Sequence, residues 1–263
     1  MSGIAIHDAV FSYSEKPVLD GLTLDVRSGS FVGIVGPNGS GKSTLLKLLG
    51  GLLKPQQGRV EIDGKELDQY SRRQVARSMA LIPQQLGTQY PFSVEQVVLM
   101  GRHPHKGLAP FETAEDLALA RQAMEECGIE HLAHRAMPQL SGGEQQRVMV
   151  AAALAQQPKI LLADEPTSSL DLHFQVEIYR ILQRLNRSRN VTVIAVTHDL
   201  NLAAMFCPRI VMLSKGTLRA DGTAAQVIRP ELLSEVYDAE VLVADRPDAD
   251  LPYVLPAVGD LKR

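Results

Sequence analysis

The first 30 residues alternate between apolar and polar side chains. Alternation of this kind is typical of half-buried β-strands, so it predicts a β-rich opening of antiparallel strands. The pairs Asp20-Gly21 and Ser28-Gly29 are the predicted turns between these strands. The apolar positions of the alternation are Ile4, Ile6, Val10, Leu22, Leu24 and Val26.

A strand, a glycine loop and a helix are predicted next. Residues 31–35 form a short apolar run that stops at Gly36, and residues 42–53 carry leucines at helical spacing. Residues 58–64 predict another hairpin strand. Residues 79–82 predict a strand that Pro83 ends, because proline cannot donate to a sheet ladder.

The pattern then becomes helical and afterwards alternates between strand and helix. Segments 94–100, 112–127 and 145–156 favour helix with almost no strand signal between them, which predicts a helical insertion over about 91–157. Two buried-strand runs follow, 160–163 and 191–196, separated by a helical stretch at 172–185. This βαβ pattern is typical of a parallel sheet, so the core is predicted to be α/β.

The last third predicts smaller elements. Residues 209–213 and 217–220 flank Lys215-Gly216 as a hairpin, and 224–237 are weakly helical. Residues after 238 predict one more hairpin, with its turn at about 246–250. We therefore expect one domain over 1–238 and a C-terminal extension over 239–263.

Composition narrows the function classes. The 263 residues contain 27 Lys plus Arg and 30 Asp plus Glu, for a net charge of −3, and 45% are apolar. That mix predicts a globular protein and argues against a broad basic surface for nucleic acid. Two cysteines are too few for a disulfide scaffold, the first residues lack an apolar core of secretory type, and no stretch approaches 20 apolar residues. The chain is expected to be cytoplasmic, with any membrane-spanning part supplied by another chain.

The loop after the first buried strand fits the phosphate-binding pattern G-x-x-x-x-G-K-[ST]. Its glycines let several backbone N–H groups point at one phosphate, and the following helix adds its positive N-terminus. Lys42 is expected to reach the β- and γ-phosphates of ATP, and the Ser43 hydroxyl to ligate Mg²⁺. The alternative, an ordinary glycine-rich turn, does not explain its position between strand and helix. The loop comprises Gly36, Pro37, Asn38, Gly39, Ser40, Gly41, Lys42, Ser43 and Thr44.

Polar side chains follow the next two buried strands. Asp164 and Glu165 end the apolar run KILLADEP, at the sheet edge where ligands bind in open α/β folds. Asp164 is expected to hold Mg²⁺ and Glu165 to accept a proton from the attacking water. His198 ends the following strand, where it can contact the γ-phosphate. A solvated acidic turn and a structural histidine are the alternatives, and His103 and His105 are expected to be solvated loop residues.

The stretch LSGGEQQR at 140–147, with these motifs before and after it, resembles the ATP-binding subunit of ABC transporters over residues 4–238. The resemblance implies a P-loop NTPase fold in which Ser141, Gly142 and Gly143 grip the γ-phosphate of a partner's ATP. Two copies then pack head to tail around two shared ATP molecules, with hydrolysis reopening the dimer. The family often has Gln where this chain has Glu144, a difference expected to leave the grip unchanged.

The same resemblance assigns further roles. Tyr13 matches the aromatic that stacks on adenine, although an aromatic beside Phe11 can also be packing alone. Gln84 matches the glutamine that contacts Mg²⁺ and the attacking water. Ser169, Leu170 and Asp171 fall in the loop that crosses the dimer interface.

Segments 91–107 and 198–216 resemble importers of iron-siderophore complexes, haem and cobalamin. That resemblance implies a permease dimer, bound along about 85–106, an extracytoplasmic substrate-binding protein, and a site at the cytoplasmic face of the inner membrane. Ferric siderophore is the expected cargo, with haem and cobalamin next.

Soluble ABC-type ATPases acting on DNA or the ribosome remain the alternative. In those acting on chromosomes, long coiled coils separate the phosphate-binding loop from the Ser-Gly-Gly turn. In this chain only about 100 residues without heptads lie between Lys42 and Ser141. Translation-linked members carry two cassettes in one chain, and this chain has one. A regulator without turnover is expected to lack Glu165.

Overall fold

The structure is a computed structural model that describes residues 3–84, 91–106, 112–168, 170–246 and 251–257. Strands and helices alternate along most of this length. In chain order they are β1 (Ile4–Phe11), β2 (Leu19–Val26), β3 (Phe31–Val35), α1 (Lys42–Leu49), β4 (Gln57–Ile62), β5 (Lys65–Glu66), α2 (Arg72–Ser78), β6 (Met79–Ile82), α3 (Val94–Met100), α4 (Ala114–Glu126), α5 (Gly142–Ala155), β7 (Ile160–Asp164), α6 (Leu172–Arg189), β8 (Thr192–Val196), α7 (Leu200–Phe206), β9 (Arg209–Ser214), β10 (Thr217–Gly222), α8 (Ala224–Val227), α9 (Pro230–Tyr237), β11 (Val241–Asp245) and β12 (Pro252–Pro256).

A six-stranded sheet forms the centre of the molecule, in the order β10-β9-β3-β8-β7-β6. Neighbouring strands from β9 to β6 run parallel, and β10 pairs with β9 antiparallel. All residues of β3 and β8 are buried, as expected for strands covered by other elements on both faces. This mixed sheet with flanking helices confirms the predicted α/β class.

A second, antiparallel sheet has the order β2-β1-β4-β5. Strand β2 buries nearly alternate side chains, and the buried residues of β1, β2 and β4 pack with α1 and one face of the central sheet in a shared core. The predicted turn at Asp20-Gly21 is wrong. Both residues lie inside β2, where the pairing with β1 shifts register, so an irregularity within the strand replaces the turn.

Helices α3, α4 and α5, which come between β6 and β7 in the sequence, pack together. The described part of 91–157 contains no strand. Arg102, just after α3, is buried and donates from Nε to Asp116 Oδ1 of α4 at 2.9 Å. Its Nη1 donates to Ala155 O at the end of α5, at 2.7 Å. One buried guanidinium therefore joins all three helices.

Two predicted helices are shorter in the structure. Helix α1 ends at Leu49 because Gly50 and Gly51 follow, and the chain turns there. The helical stretch predicted over 224–237 is divided into α8 and α9, with Pro230 at the first position of α9, where its missing N–H costs nothing.

The last two described strands form a separate hairpin. β11 and β12 pair antiparallel, and Asn201 of α7 exchanges hydrogen bonds with the backbone of Val254, at 3.2 and 2.8 Å. The predicted turn extends over about 246–250, and residues 247–250 lie outside the described residues. The division into 1–238 and 239–263 stays a prediction. Within the described ranges no helix is long and apolar enough to cross a membrane.

Candidate ATP site

Four adjacent strands bring the predicted site residues to one edge of the central sheet. Gly36 follows β3, Gln84 lies two residues after β6, Glu165 follows β7, and His198 lies two residues after β8. Because β3, β8, β7 and β6 are neighbours and parallel, their carboxyl ends meet. Segments far apart in sequence therefore converge at the edge where open α/β sheets bind ligands.

The phosphate-binding loop wraps around the Lys42 ammonium. Lys42 Nζ donates to the carbonyls of Gly36 at 2.8 Å and Pro37 at 2.9 Å. A Cβ at Gly36 would lie 2.1 Å from the carbonyl oxygen of Leu213, so only glycine fits there. Burial lowers the pKa of Lys42, while the nearby carboxylates of Glu165 and Asp164 oppose that shift. The Lys42 amino group therefore lies at the centre of the loop, held by two of its carbonyls.

The loop also has the donors that a phosphate needs. The Ser40 hydroxyl is buried with no hydrogen-bond partner among the described residues. An unpaired buried hydroxyl costs free energy, which an acceptor oxygen entering the loop would recover. The loop also leads directly into the N-terminus of α1, whose free N–H groups favour anions. The residues present therefore fit a bound polyphosphate.

Oxygen ligands suited to Mg²⁺ lie beside the loop. Ser43 Oγ donates to Asp164 Oδ1 at 2.9 Å, linking α1 to the end of β7. Burial raises the pKa of Asp164, and the Ser43 hydrogen bond partly opposes the rise. A cation bound here would offset the cost of burying this carboxylate. In the described chain no three His, Cys, Asp or Glu residues cluster as a metal site.

Glu165 lies between two of the other predicted site residues, Gln84 and His198. Gln84 Nε2 donates to Glu165 Oε2 at 2.7 Å, and His198 Nδ1 lies 3.6 Å from the same oxygen. Glu165 has a φ of +47°, a left-handed conformation that is uncommon for a glutamate. Strained backbone of this kind is concentrated at functional sites, where surrounding contacts hold it. Here Glu165 N donates to Val196 O, and Glu165 O accepts from Ser168.

These side chains surround a cleft of about 620 Å³. Tyr13 is not among its described lining residues: the ring is 60% exposed and contacts Phe11 edge to face, with centroids 4.9 Å apart. Val18, at the end of the loop that contains Tyr13, does line the cleft. The sequence pattern around Val18 did not predict this position. The lining comprises Val18, Asn38, Gly39, Gly41, Lys42, Ser43, Thr44, Gln84, Glu165 and His198.

The Ser141 turn lies away from this cleft, because none of its residues belongs to the described lining. Ser141 caps α5, and Gly143 packs so closely on Phe174 that a Cβ there would lie 2.4 Å from the ring. Asp171 Oδ1 accepts from Phe174 N at 3.1 Å and so caps α6. The turn and the start of α6 are therefore packed together. Ser169 lies outside the described residues.

Two supporting residues were missed by the sequence interpretation. Tyr179 of α6 is fully buried, stacks on Phe206 at 5.2 Å, and packs behind the end of β8. Thr197 Oγ1 accepts from Asp199 N at 3.1 Å, so it orders the backbone on both sides of His198. A lone tyrosine in an amphipathic helix gives no signal for this role.

Comparison with known proteins identifies the chain's relatives. The ABC transporter family model matches residues 19–168. The ferric enterobactin transport ATP-binding protein FepC of Escherichia coli K12 is 37% identical over 244 residues, 93% of this chain and 90% of that protein. The hemin import ATP-binding protein HmuV of Rhodopseudomonas palustris CGA009 is 40% identical over 269 residues, 99% of this chain and 97% of HmuV.

Solved structures show the same architecture. A putative metal-chelate type ABC transporter in an inward-facing conformation has a TM-score of 0.85 at 29% identity, covering 97% of this chain and 98% of that one. The dimeric ATP-binding cassette MJ0796, in a post-hydrolysis state bound to ADP and Pi, has a TM-score of 0.73 at 32% identity, covering 84% of this chain and 98% of that one. These matches confirm the family resemblance. The chain belongs to the ABC transporter family as one of its ATP-binding, ATP-hydrolysing subunits.

Proposed function

We propose that this chain hydrolyses ATP to drive import of a metal chelate through a separate membrane permease. The observation that carries the proposal is the position of Glu165, which accepts a hydrogen bond from Gln84 and lies beside His198. All three side chains line the same cleft as the phosphate-binding loop. Such an arrangement suits activation of a water molecule next to a γ-phosphate. The identity to the importer proteins FepC and HmuV over nearly the whole chain disfavours the alternative.

Each residue of the cleft takes a distinct part in hydrolysis. Lys42 neutralises the β- and γ-phosphates, and the loop N–H groups orient them. Glu165 accepts the proton of the attacking water, Gln84 orients that water and helps to ligate the metal, and His198 donates a hydrogen bond to the γ-phosphate. Mg²⁺ held by Ser43, Gln84 and Asp164 supplies charge neutralisation to the phosphates when it is bound. Tyr13 covers the adenine from its exposed loop.

A second copy completes the site. The Ser141 turn lies outside the chain's own cleft yet offers the free N–H groups of a helix N-terminus. We therefore propose a head-to-tail dimer in which Ser141, Gly142 and Gly143 bind the ATP on the other copy's loop, with Asp171 near the interface. Loss of the γ-phosphate removes that contact and reopens the dimer.

A groove on the helical insertion suits the permease. Apolar side chains of α3 border a depression of about 420 Å³, and Met100 is 51% exposed there. Exposed apolar patches rimmed by polar groups are typical of protein interaction sites. We propose that a cytoplasmic segment of the permease binds here, which keeps the chain at the cytoplasmic face of the inner membrane with a substrate-binding protein outside. The lining is Phe92, Gln96, Leu99, Met100, His103, Lys106 and Glu112.

Ferric siderophore is our proposed cargo, followed by haem and cobalamin. Support comes from two relatives, the ferric enterobactin transport protein FepC and the hemin import protein HmuV. Nucleic acid is not a proposed partner, given the net charge of −3.

Uptake assays test this function in cells that lack the chain. Wild-type chain should restore accumulation of radio-iron supplied as ferric siderophore, while Glu165→Gln should not. Parallel measurements with haem and labelled cobalamin identify the cargo. Restoration of haem or cobalamin uptake alone would correct the cargo, and no restoration of any of the three would contradict the proposed function.

A further inference from the structure

We propose that the negative charge of Glu144 sets the ATP concentration at which two copies close, because it holds the Ser141 hydroxyl and repels the incoming γ-phosphate. This inference rests on the proposed shared site. It also reverses the expectation that Glu at this position leaves the ATP grip unchanged.

Glu144 occupies the donors that a phosphate needs. Its Oε2 accepts from both Ser141 N and Ser141 Oγ, each at 2.8 Å. A serine hydroxyl has one proton to donate, so Ser141 cannot donate to Glu144 and to a phosphate oxygen at the same time. The proposed ligand must therefore compete with an internal carboxylate.

The carboxylate keeps its charge in this position. The backbone N–H and hydroxyl of Ser141 lower the pKa of Glu144, and the nearby charge of Arg147 also favours the ionised form. Arg147 does not contact that charge, since its Nη1 pairs with Glu177 at 3.6 Å and its guanidinium lies 5.5 Å from the Phe174 ring centre. Two anions that both approach the Ser141 hydroxyl lie at most about 6 Å apart and repel each other.

Movement of the turn toward α6 cannot separate Glu144 from the phosphate. Gly143 is buried against Phe174, leaving no room for the turn to retreat toward α6. Rotation of the Glu144 side chain is the remaining route, and it breaks the hydrogen bonds that cap α5. Closure must therefore offset both the lost cap and the charge repulsion.

Glu144→Gln isolates the charge. Glutamine supports the same capping box, because its amide oxygen accepts from Ser141 as the carboxylate does. The change therefore removes charge repulsion while it keeps the cap. Glu115→Gln is a matched control, since Glu115 is an exposed glutamate in the first turn of α4.

The experiment measures the ATP concentration that gives half-maximal dimer, by size-exclusion chromatography with light scattering, on full-length chain carrying Glu165→Gln. Adding Glu144→Gln should lower that concentration about three- to tenfold at 0.15 M salt. At 1 M salt the difference should shrink, because the Debye length is then about 3 Å. Glu115→Gln should cause no change.

The outcomes separate the two proposals. If Ser141→Arg abolishes the ATP-dependent dimer while Glu144→Gln leaves the half-maximal concentration unchanged, the inference fails and the shared site stands. A salt-independent shift also overturns the inference, since it indicates a structural effect. If the parent stays monomeric, or dimerises despite Ser141→Arg, the shared site fails and the inference fails with it.

Discussion

At the scale of single residues, the site combines a glutamate of strained backbone with a buried lysine and a half-buried aspartate. Glu165 accepts a hydrogen bond from Gln84 and adopts a positive φ, so its position depends on several elements at once. The pKa of the buried Lys42 is lowered and the pKa of the half-buried Asp164 is raised, so both shifts favour the neutral form. Each shift reflects burial that bound nucleotide and cation would compensate.

Glu165→Gln should reduce hydrolysis without removing nucleotide binding. The amide cannot accept a proton from water, and loss of a general base costs about 10²- to 10⁴-fold in rate. Phosphate release measures the first effect, and fluorescent ATP binding the second. Hydrolysis within threefold of wild type would show that another group is the base.

Asp164→Asn should raise the thermal unfolding midpoint of the nucleotide-free chain at pH 7. Burial raises the folded-state pKa of Asp164 above its usual 3.8, so ionisation as the pH rises through that raised value costs stability. An amide of the same shape avoids this cost. Calorimetry at pH 4 and pH 7 should show a larger difference between the two chains at pH 7, accompanied by loss of Mg²⁺-dependent hydrolysis. If the difference in unfolding midpoint between wild type and Asp164→Asn is the same at pH 4 and at pH 7, the raised pKa of Asp164 is contradicted.

At the scale of elements, the helical insertion is held by a buried ion pair. Arg102 and Asp116 have side-chain exposures of only 5% and 8%, and the Arg102 hydrogen bond is the main cause that lowers the pKa of Asp116 to about 2. Because a buried charge without its partner is costly, the three helices α3, α4 and α5 depend on both residues.

Asp116→Asn should lower the free energy of unfolding by about 3 kcal/mol or more. The control is Glu61→Gln, which breaks the more exposed ion pairs with Arg59 and His7 and should cost clearly less than Asp116→Asn. Urea unfolding measures both. The Asp116 contribution is present above the usual pKa of 3.8 and is lost as the pH falls toward about 2, so acid should erase the difference between wild type and Asp116→Asn. A difference that persists at pH 2 would contradict this.

Sequence patterns located the elements well and some of their ends poorly. Apolar runs such as 160–163 gave buried strands because parallel strands are covered on both faces. The predicted turn at Asp20-Gly21 was wrong because an irregularity within a strand favours the same residue types as a turn between strands. The packing of Phe174 under Gly143 was unpredictable, since it joins two helices through shape alone.

At the scale of the whole molecule, the proposed ATP site has two halves that do not meet within one chain. The phosphate loop and Glu165 lie at the carboxyl edge of the central sheet, and the Ser141 turn lies at the start of α5, outside that cleft. Each copy carries both surfaces, so the phosphate loop of one copy can face the Ser141 turn of the other, and the reverse. Two copies related by a two-fold axis then satisfy both contacts at once. In the dimer we propose, closure depends on ATP and reopening depends on hydrolysis.

The most direct test is the mass of the Glu165→Gln chain in solution with and without ATP. We expect the mass to rise from 28.7 kDa to twice that value only when ATP is present, and Ser141→Arg to prevent the rise. A mass that does not change with ATP, or a Ser141→Arg chain that dimerises as readily, would contradict the shared-site account.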